Sequence, residues 1–590
     1  MKRKQCHFLG WGKKFLIFCA LILSASLAFA GSPKIAKDLK GKGLADQVDV
    51  IVQFRQAPTA RQHQKVLSKG GTLKNLLGLV KGGVYSVPAS ALASLAADPD
   101  VAYIAPDRAL YSTNNGSPTA VLDYHTDTVN APVAWAQGLD GTGIGVAVID
   151  SGIIDIPDLH GQNYRVVFSQ NFVGGTSGSA NDQYGHGSHV AGIIGGNGNK
   201  STGSSYSYTF KGIAPNVNLI NLRVLDQNGM GTDSQVIAAI QMAIKLKNKY
   251  NIRIINLSLG RPVYESYKLD PLCLAVENAW KAGIVVVAAA GNEGRNNSAN
   301  TDGYATITAP GNDPYVITVG AMKTMGTSSR ADDLISTYSS KGPTPSDHIV
   351  KPDLVAPGNR IVSLYTAGLR MNQLHPGNEI PYSLYQTNGN STASDTYYIL
   401  SGTSMAAPVV SGGAALLLQQ NPRITPDQVK ARLMKTASKT FPGYSSYTDP
   451  TTRITYTSQY DVFTIGAGYL DIQAALSSTD LSSGVAKSPT AQYDPATDSV
   501  YFVNDSSAMW GSSAMWGSSA MWGTTAVWGA NVFVGGQSAM WGSSAMWGSS
   551  AMWGSSTTQG FSAMWGSSAM WGTSTTDSSE SINITINGEN

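Results

Sequence analysis

The sequence predicts an α/β protein built on a mostly parallel sheet, and three observations carry that prediction. From Gly141 to about Leu476, short apolar runs alternate with amphipathic segments, the order of strands and crossover helices. Four of the runs, residues 144–149, 217–224, 252–257 and 284–289, are apolar almost without a break, as strands are when both sheet faces are covered. The intervening segments carry helix signals. Val236, Ile237, Ile240, Ala243 and Ile244 share one helical face behind the cap candidates Thr232 and Asp233. Thr425 and Gln428 form a capping box around Pro426, opening a helix to about Ala437.

Taken in order, residues 1–30 have a basic start (Lys2, Arg3, Lys4, Lys13, Lys14), an apolar run over 15–27 and the small-x-small sequence Ala28-Phe29-Ala30. This reads as a secretory signal peptide, with an apolar run short for a bilayer span, so the product is expected to be secreted and extracellular. Residues 31–118 form a separate region with a small α+β core over 46–107. Its expected elements are strands at 48–54, 83–87 and 101–105 and helices at 60–68 and 89–97, closed by the polar linker 112–118. The main domain is expected over 119–480, with no later segment of membrane-spanning length. Residues 481–590 form a tail in which Ser-Ala-Met-Trp recurs at Trp510, Trp516, Trp522, Trp541, Trp547, Trp553, Trp565 and Trp571. Most neighbouring copies are six residues apart, an even spacing that places their indoles on one face of an extended chain, so the tail reads as a β repeat or a low-complexity disordered segment. Indole faces suit sugar rings and polymers, giving it a cell surface or polysaccharide as a partner.

Composition narrows the function. Charged residues are 13% of the chain, about half the globular average, and the formal charge is only +3. Nucleic acid is therefore excluded as a partner. Of the cysteines, Cys6 and Cys19 fall in the signal segment, which leaves Cys273 alone in an apolar helical stretch. A disulfide framework and a Cys-based metal site are both ruled out for the processed protein, and Cys273 reads as a core residue.

An open parallel sheet gathers ligands at the carboxyl ends of its strands, and four chemically able residues sit at such element ends. Asp150 closes the run Val146-Ala-Val-Ile149. His186 opens a helix in His186-Gly-Ser-His189. Asn292 follows a strand in Ala289-Ala-Gly-Asn292, and Ser404 stands where a loop enters an apolar helix in Ser401-Gly-Thr-Ser404. A hydroxyl there lies beside unpaired N–H groups at the positive end of a helix. Acyl transfer needs a nucleophile, a base, a carboxylate that orients the base, and a donor to the oxyanion. Ser404, His186, Asp150 and Asn292 fill those four places.

The motifs AVIDSGI, HGSHVAG, INLSLG, AAAGNEG and GTSMAAPVVSG, with KGIAPN, ITVGA, KPDLVAPG and GAGYLDIQAAL between them, resemble those of the subtilisin-like serine peptidases (subtilases). The resemblance implies a three-layer α/β fold and a secreted serine endopeptidase needing no cofactor for catalysis. It implies a catalytic set of Asp150, His186 and Ser404 with Asn292 as oxyanion donor. Ser258, Leu259 and Gly260, together with Ala289, Ala290 and Gly291, match the family's substrate-binding edges, with Gly229 and Gly231 on the opposite rim. It gives His189 a structural role and makes Asp158 a position for a structural calcium ligand. QVDVIVQF and VAYIAPDRAL resemble the first and last strands of the family's inhibitory pro-region. That implies a zymogen in which residues 31–118 act as an intramolecular inhibitor, with self-cleavage between about Arg108 and Tyr124. Residues 364–400, a long polar insertion rich in tyrosine, are expected to cover part of the cleft on the leaving-group side. The competing reading is a surface-binding or adhesive repeat protein whose protease domain serves only processing.

Overall fold

The computed structural model describes residues 32–39, 42–111, 123–174, 178–297, 301–450, 452–494, 499–503 and 588–589. The expected signal segment, the linker 112–118, most of the span expected to hold the cleavage, and the tryptophan repeats therefore lie outside the described residues. Two units divide the chain, Met1–Asp107 and Arg108–Asn590.

The first unit runs β1 (Gln47–Phe54), α1 (Ala60–Leu67), β2 (Thr72–Leu77), β3 (Gly82–Pro88), α2 (Leu92–Ala96) and β4 (Val101–Pro106). Its antiparallel sheet has the order β2-β3-β1-β4, with Val50, Val52, Phe54, Tyr85, Leu95 and Ile104 in one buried cluster. Thr59 and Gln62 cap α1 reciprocally. β2 has no counterpart in the sequence reading. It is an edge strand exposed along most of its length, so burial imposes no alternation on it.

In the second unit, β5 (Ala109–Tyr111) is followed by β6 (Gly145–Asp150), β7 (Val166–Asn171), α3 (His186–Gly195), β8 (Asn218–Arg223), β9 (Met230–Thr232) and α4 (Asp233–Tyr250). β10 (Ile252–Leu257), α5 (Pro271–Lys281), β11 (Val285–Ala289), β12 (Ile317–Lys323), β13 (Leu334–Ile335) and β14 (Leu354–Pro357) continue it. The eight-stranded sheet has the order β13-β12-β11-β10-β6-β8-β7, with β14 also on β12. Every pairing is parallel except that of β12 with β13. All of β6, β11 and β12 is buried, so both faces are covered, as their unbroken apolar runs require. Chain order reverses at β6: β7 and β8 lie to one side, β10 to β12 to the other. The crevice of such a sheet opens at that switch, above Asp150.

Next come β15 (Ile361–Leu364), β16 (Glu379–Pro381), β17 (Ala393–Leu400), α6 (Thr403–Gln420) and α7 (Pro426–Thr436). α6 is buried from Thr403 to Leu418 and packs on α3, β10, β11, β12 and β14. A helix enclosed on all sides must be apolar nearly all round, and this one is, apart from the hydrogen-bonded Thr403, Ser404 and Ser411. Residues 364–400 form structure of their own: β15, β17 and β16 make an antiparallel sheet, and Tyr397 of β17 and Tyr385, in the connection before it, pack edge-on or tilted against Phe210 and each other. β17 feeds directly into Ser401. Residues 482–494, assigned by composition to the tail, belong to this unit. Val350 N–H donates to Pro489 O and Ala491 N–H to His348 O, each at 2.8 Å. Buried Ser488 Oγ donates to Asp353 Oδ1. Among the described residues no helix is long and apolar enough to cross a membrane.

Candidate active site

Asp150 ends the central strand, and its side chain turns toward the start of α3. Oδ1 accepts the Ser151 N–H at 2.7 Å and meets His186 Nδ1 at 2.7 Å. Both groups are fully buried. With Nδ1–H held by the carboxylate, Nε2 is the basic nitrogen. His186 Nε2 is buried without a hydrogen-bond partner, and a buried polar atom in that state calls for one.

α3 is anchored at its start by Asp182, a residue the sequence reading passed over. Its Oδ1 accepts from Tyr184 N–H, Gly185 N–H and Ser151 Oγ at 2.8–3.0 Å, and its Oδ2 from Ser188 N–H and Oγ at 2.9 and 2.7 Å. Burial pushes the carboxyl upward while these donors oppose it. Ser151 Oγ in turn accepts from Gly187 N–H at 2.8 Å. One carboxylate thus ties the end of β6 to the first turn of α3 and sets the angle between Asp150 and His186. The insertion supports the same turn, because Arg370 and Met371 N–H groups donate to Gln183 and Tyr184 carbonyls.

Ser404 lies one residue inside α6, which starts after Gly402. Its Oγ donates to Ser258 O at 3.1 Å, and Ser258 Oγ donates back to Ser404 O at 2.7 Å. The hydroxyl is thus engaged with β10's exit rather than with His186. Asn292 is fixed from the helix side: its Oδ1 accepts the Thr403 N–H and O–H, each at 3.0 Å. Its Nδ2 faces Gly402, where a Cβ would stand 3.1 Å away. The structure brings Asp150, His186, Ser404 and Asn292 to one edge of the sheet, as their places at element ends predicted.

The expected substrate edges differ from one another. β9, which holds Gly231, is paired by β5: Ala109 lies opposite Thr232, Leu110 opposite Gly231 and Tyr111 opposite Met230. Gly229 closes the turn into β9 through its N–H to Asp226 O. On the other side, Leu259 and Gly260 follow Ser258, and a Cβ at Gly260 would meet Thr308 Oγ1 at 2.6 Å. The free backbone expected at Ala290 and Gly291 is not there. Ala290 N–H donates to Val319 O and its C=O accepts from Thr308 N–H. Gly291 N–H donates to Thr403 Oγ1 and its C=O accepts from Ser340 N–H. Ala289 is the last residue of β11. That segment is committed to holding Asn292 and α6 together.

Just before β5, the Arg108 guanidinium grips both oxygens of Glu265 at 2.5–2.6 Å, with both side chains buried. The Tyr264 ring lies 4.9 Å from the cation. Asp233 N–H donates to Arg108 O at 2.8 Å.

Asp158, the expected position of a calcium ligand, has both carboxylate oxygens engaged. It is fully buried, with Oδ1 accepting Lys200 N–H at 2.7 Å and Oδ2 accepting Tyr397 O–H at 2.6 Å. Among the described residues no group of three or more His, Cys, Asp or Glu residues could hold a metal. The carboxylate fastens the insertion's Tyr397 to the loop at Lys200.

His189, on the same helix as His186, donates Nε2–H toward Tyr398 O at 3.0 Å and Ile361 O at 3.2 Å. Burial lowers it to about 3. A histidine lowered below its unfolded value near 6.5 is protonated first in the unfolded chain. Stability should therefore fall as pH drops from 6.5 toward 3, by about 1.4 kcal/mol per unit. In urea unfolding of a Ser404→Ala chain, adding His189→Gln should remove that contribution between pH 6.5 and 5. An unchanged slope in the double variant counts against it.

The sequence profile described as the Subtilase family matches residues 141–468. Serine protease AprX of Bacillus subtilis (strain 168) is 38% identical over 328 residues, 54% of this chain and 67% of that protein. Subtilisin E of the same organism is 32% identical over 433 residues, 72% of this chain and 93% of that protein. Among solved structures, fervidolysin from Fervidobacterium pennivorans superimposes with a TM-score of 0.54 at 21% identity, over 76% of this chain and 64% of that one. This last likeness concerns the fold alone.

Proposed function

The chain belongs to the subtilase family and is a serine endopeptidase; from that premise we propose that Ser404 is its nucleophile, His186 its general base, Asp150 the carboxylate orienting that base, and Asn292 the oxyanion donor. The observation that carries the assignment is the buried His186 Nε2, left without a partner while Asp150 holds the opposite nitrogen. Its natural partner is the Ser404 hydroxyl. Catalytic hydrogen bonds often form only when substrate is present, and a turn about χ1 would move Oγ from Ser258 O toward the imidazole. The serine then attacks the substrate carbonyl as its proton passes to Nε2. The oxyanion meets Asn292 Nδ2 and the first turn of α6, the positive end of that helix. His186 returns the proton to the leaving amine, and water repeats the sequence on the acyl-enzyme.

The enzyme is made as a precursor that cleaves itself, and residues 31–118 serve as its inhibitor. The pairing of β5 with β9 supports this: residues 109–111 add to the rim as an extended peptide substrate does. The Arg108–Glu265 grip supports it as well, since it would hold the product segment after cleavage. Residues 1–30 support export, by their basic, apolar and small-residue order. The natural substrate is polypeptide, bound extended between β9 and Leu259-Gly260.

Expression of the wild-type chain beside Ser404→Ala tests the reading: only the wild type should cleave casein and shed its pro-region. The Glu265→Gln precursor tests the grip. Removing one partner of a buried ion pair costs about 2–5 kcal/mol, so activity should appear at least tenfold sooner after cleavage. An unchanged lag would show that Arg108 does not retain the segment.

A further inference from the structure

The described part of the chain stops at Val503 and resumes at Gly588, and the resumed residues lie inside the catalytic unit. Glu589 is 1% exposed. Its side chain pairs with Arg295 at 2.8 Å through Oε1 and with Lys323 at 2.9 Å through Oε2. Oε1 also accepts the Thr337 N–H at 2.9 Å and the Thr337 hydroxyl. Its backbone is read too: Glu589 N–H donates to Asn359 Oδ1 and Asn359 Nδ2 donates to Glu589 O, both at 2.8 Å. The preceding residue has to be glycine. Gly588 has φ +59°, and a Cβ there would come within 2.5 Å of Ser401 Oγ and 2.7 Å of Asn359 Oδ1.

We propose that Arg295, Lys323, Thr337 and Asn359 form a receptor for a Gly-Glu segment of this chain, and that Gly588-Glu589 is its ligand, so the polypeptide beyond the tryptophan repeats is clasped back onto the catalytic unit. The receptor is built for a carboxylate. Arg295 and Lys323 are both nearly buried, at 5% and 3% side-chain exposure. Asp449 takes one edge of the guanidinium at 3.0 Å, and among the described residues Glu589 is the carboxylate paired with Lys323. A buried ammonium without an anion is strongly disfavoured. Tyr447 lies 4.7 Å from Lys323 Nζ and 5.4 Å from the Arg295 guanidinium, and Tyr456 lies 4.6 Å from the latter. These rings come from the hairpin formed by Tyr444–Thr448 and Thr455–Gln459. They place aromatic faces against both cations.

The position of the clasp gives it a consequence. Arg360 N–H donates to Ser401 Oγ at 2.8 Å, and Gly402 N–H donates to Gly358 O at 2.7 Å. The clasped dipeptide therefore lies against the turn that delivers Ser404, and the segment carrying the repeats is held at both flanks.

Carboxyl footprinting with a carbodiimide and glycine ethyl ester, on the full Ser404→Ala chain, reads the burial directly. Glu589 should label at least tenfold more slowly in the native chain than in urea. Hydrogen exchange then reads the socket: adding Glu589→Gln should speed exchange in peptides spanning Thr337 and Asn359 at least tenfold. A synthetic peptide Ile-Thr-Ile-Asn-Gly-Glu-Asn added to that variant should restore protection, and the same peptide with Gln in place of Glu should not. Equal labelling in the two states overturns the proposal even if the variant fails to fold. Unchanged exchange in the variant, failure of the acidic peptide to protect, or equal protection by both peptides overturns it as well.

Discussion

Ser404→Ala should lower turnover on a peptide substrate about a millionfold while leaving a folded precursor of full length. The magnitude is the one measured on subtilisin itself for loss of the nucleophile. It applies because the rest of the apparatus has nothing to act on once the hydroxyl is gone: His186 has no proton to take, and no acyl-enzyme forms. The cost to the fold is small by comparison. Ser404 Oγ makes one hydrogen bond, to Ser258 O, worth about 1 kcal/mol, and an alanine methyl fits a helix start well. Initial rates on a chromogenic peptide and a gel of the expressed product, run side by side, give both readouts. Residual cleavage at a hundredth of the wild-type rate, or a shed pro-region, would remove Ser404 from the chemistry.

The four residues proposed to react were legible in the sequence because each sits where an element ends. A buried parallel strand must be apolar throughout, so a carboxylate at its last position, as in Asp150, stands out against five apolar neighbours. His186, Asn292 and Ser404 stand out in the same way beside glycines and alanines. Asp182 did not, because its partners are backbone N–H groups and two serines whose approach depends on the path of the loop. The bonding of the Ala289–Gly291 edge was hidden for the opposite reason. Its small residues resemble a free substrate rim, and only the fold shows that Val319, Thr308, Thr403 and Ser340 have already taken the polar groups of Ala290 and Gly291. The bond from Tyr397 to Asp158 was hidden as well, because the two lie 239 residues apart in sequence. Composition also placed the start of the tail too early, since Ser488 is small and polar yet buried against Asp353 and Lys430.

Gly402 and Asn292 give the second large effect, and the two together test the oxyanion assignment more sharply than either alone. Asn292→Ala removes the donor and strands the Thr403 N–H that Oδ1 had satisfied. Loss of one such donor lowers kcat by about 10²–10³, a range that again comes from subtilisin. Gly402→Ala acts on the same place from the other side. Its φ of +145° disfavours any side chain, and the added methyl would stand 3.1 Å from Asn292 Nδ2, where the developing oxyanion must come. A comparable fall in kcat is expected with KM changed severalfold at most, because the donor works on the transition state and not on the bound peptide. Since both substitutions disable one interaction, the double variant should be no slower than the slower single variant by more than a fewfold. Multiplicative losses would mean that the two residues serve separate functions. The amide of Asn292 would then be holding Thr403 in place and nothing more.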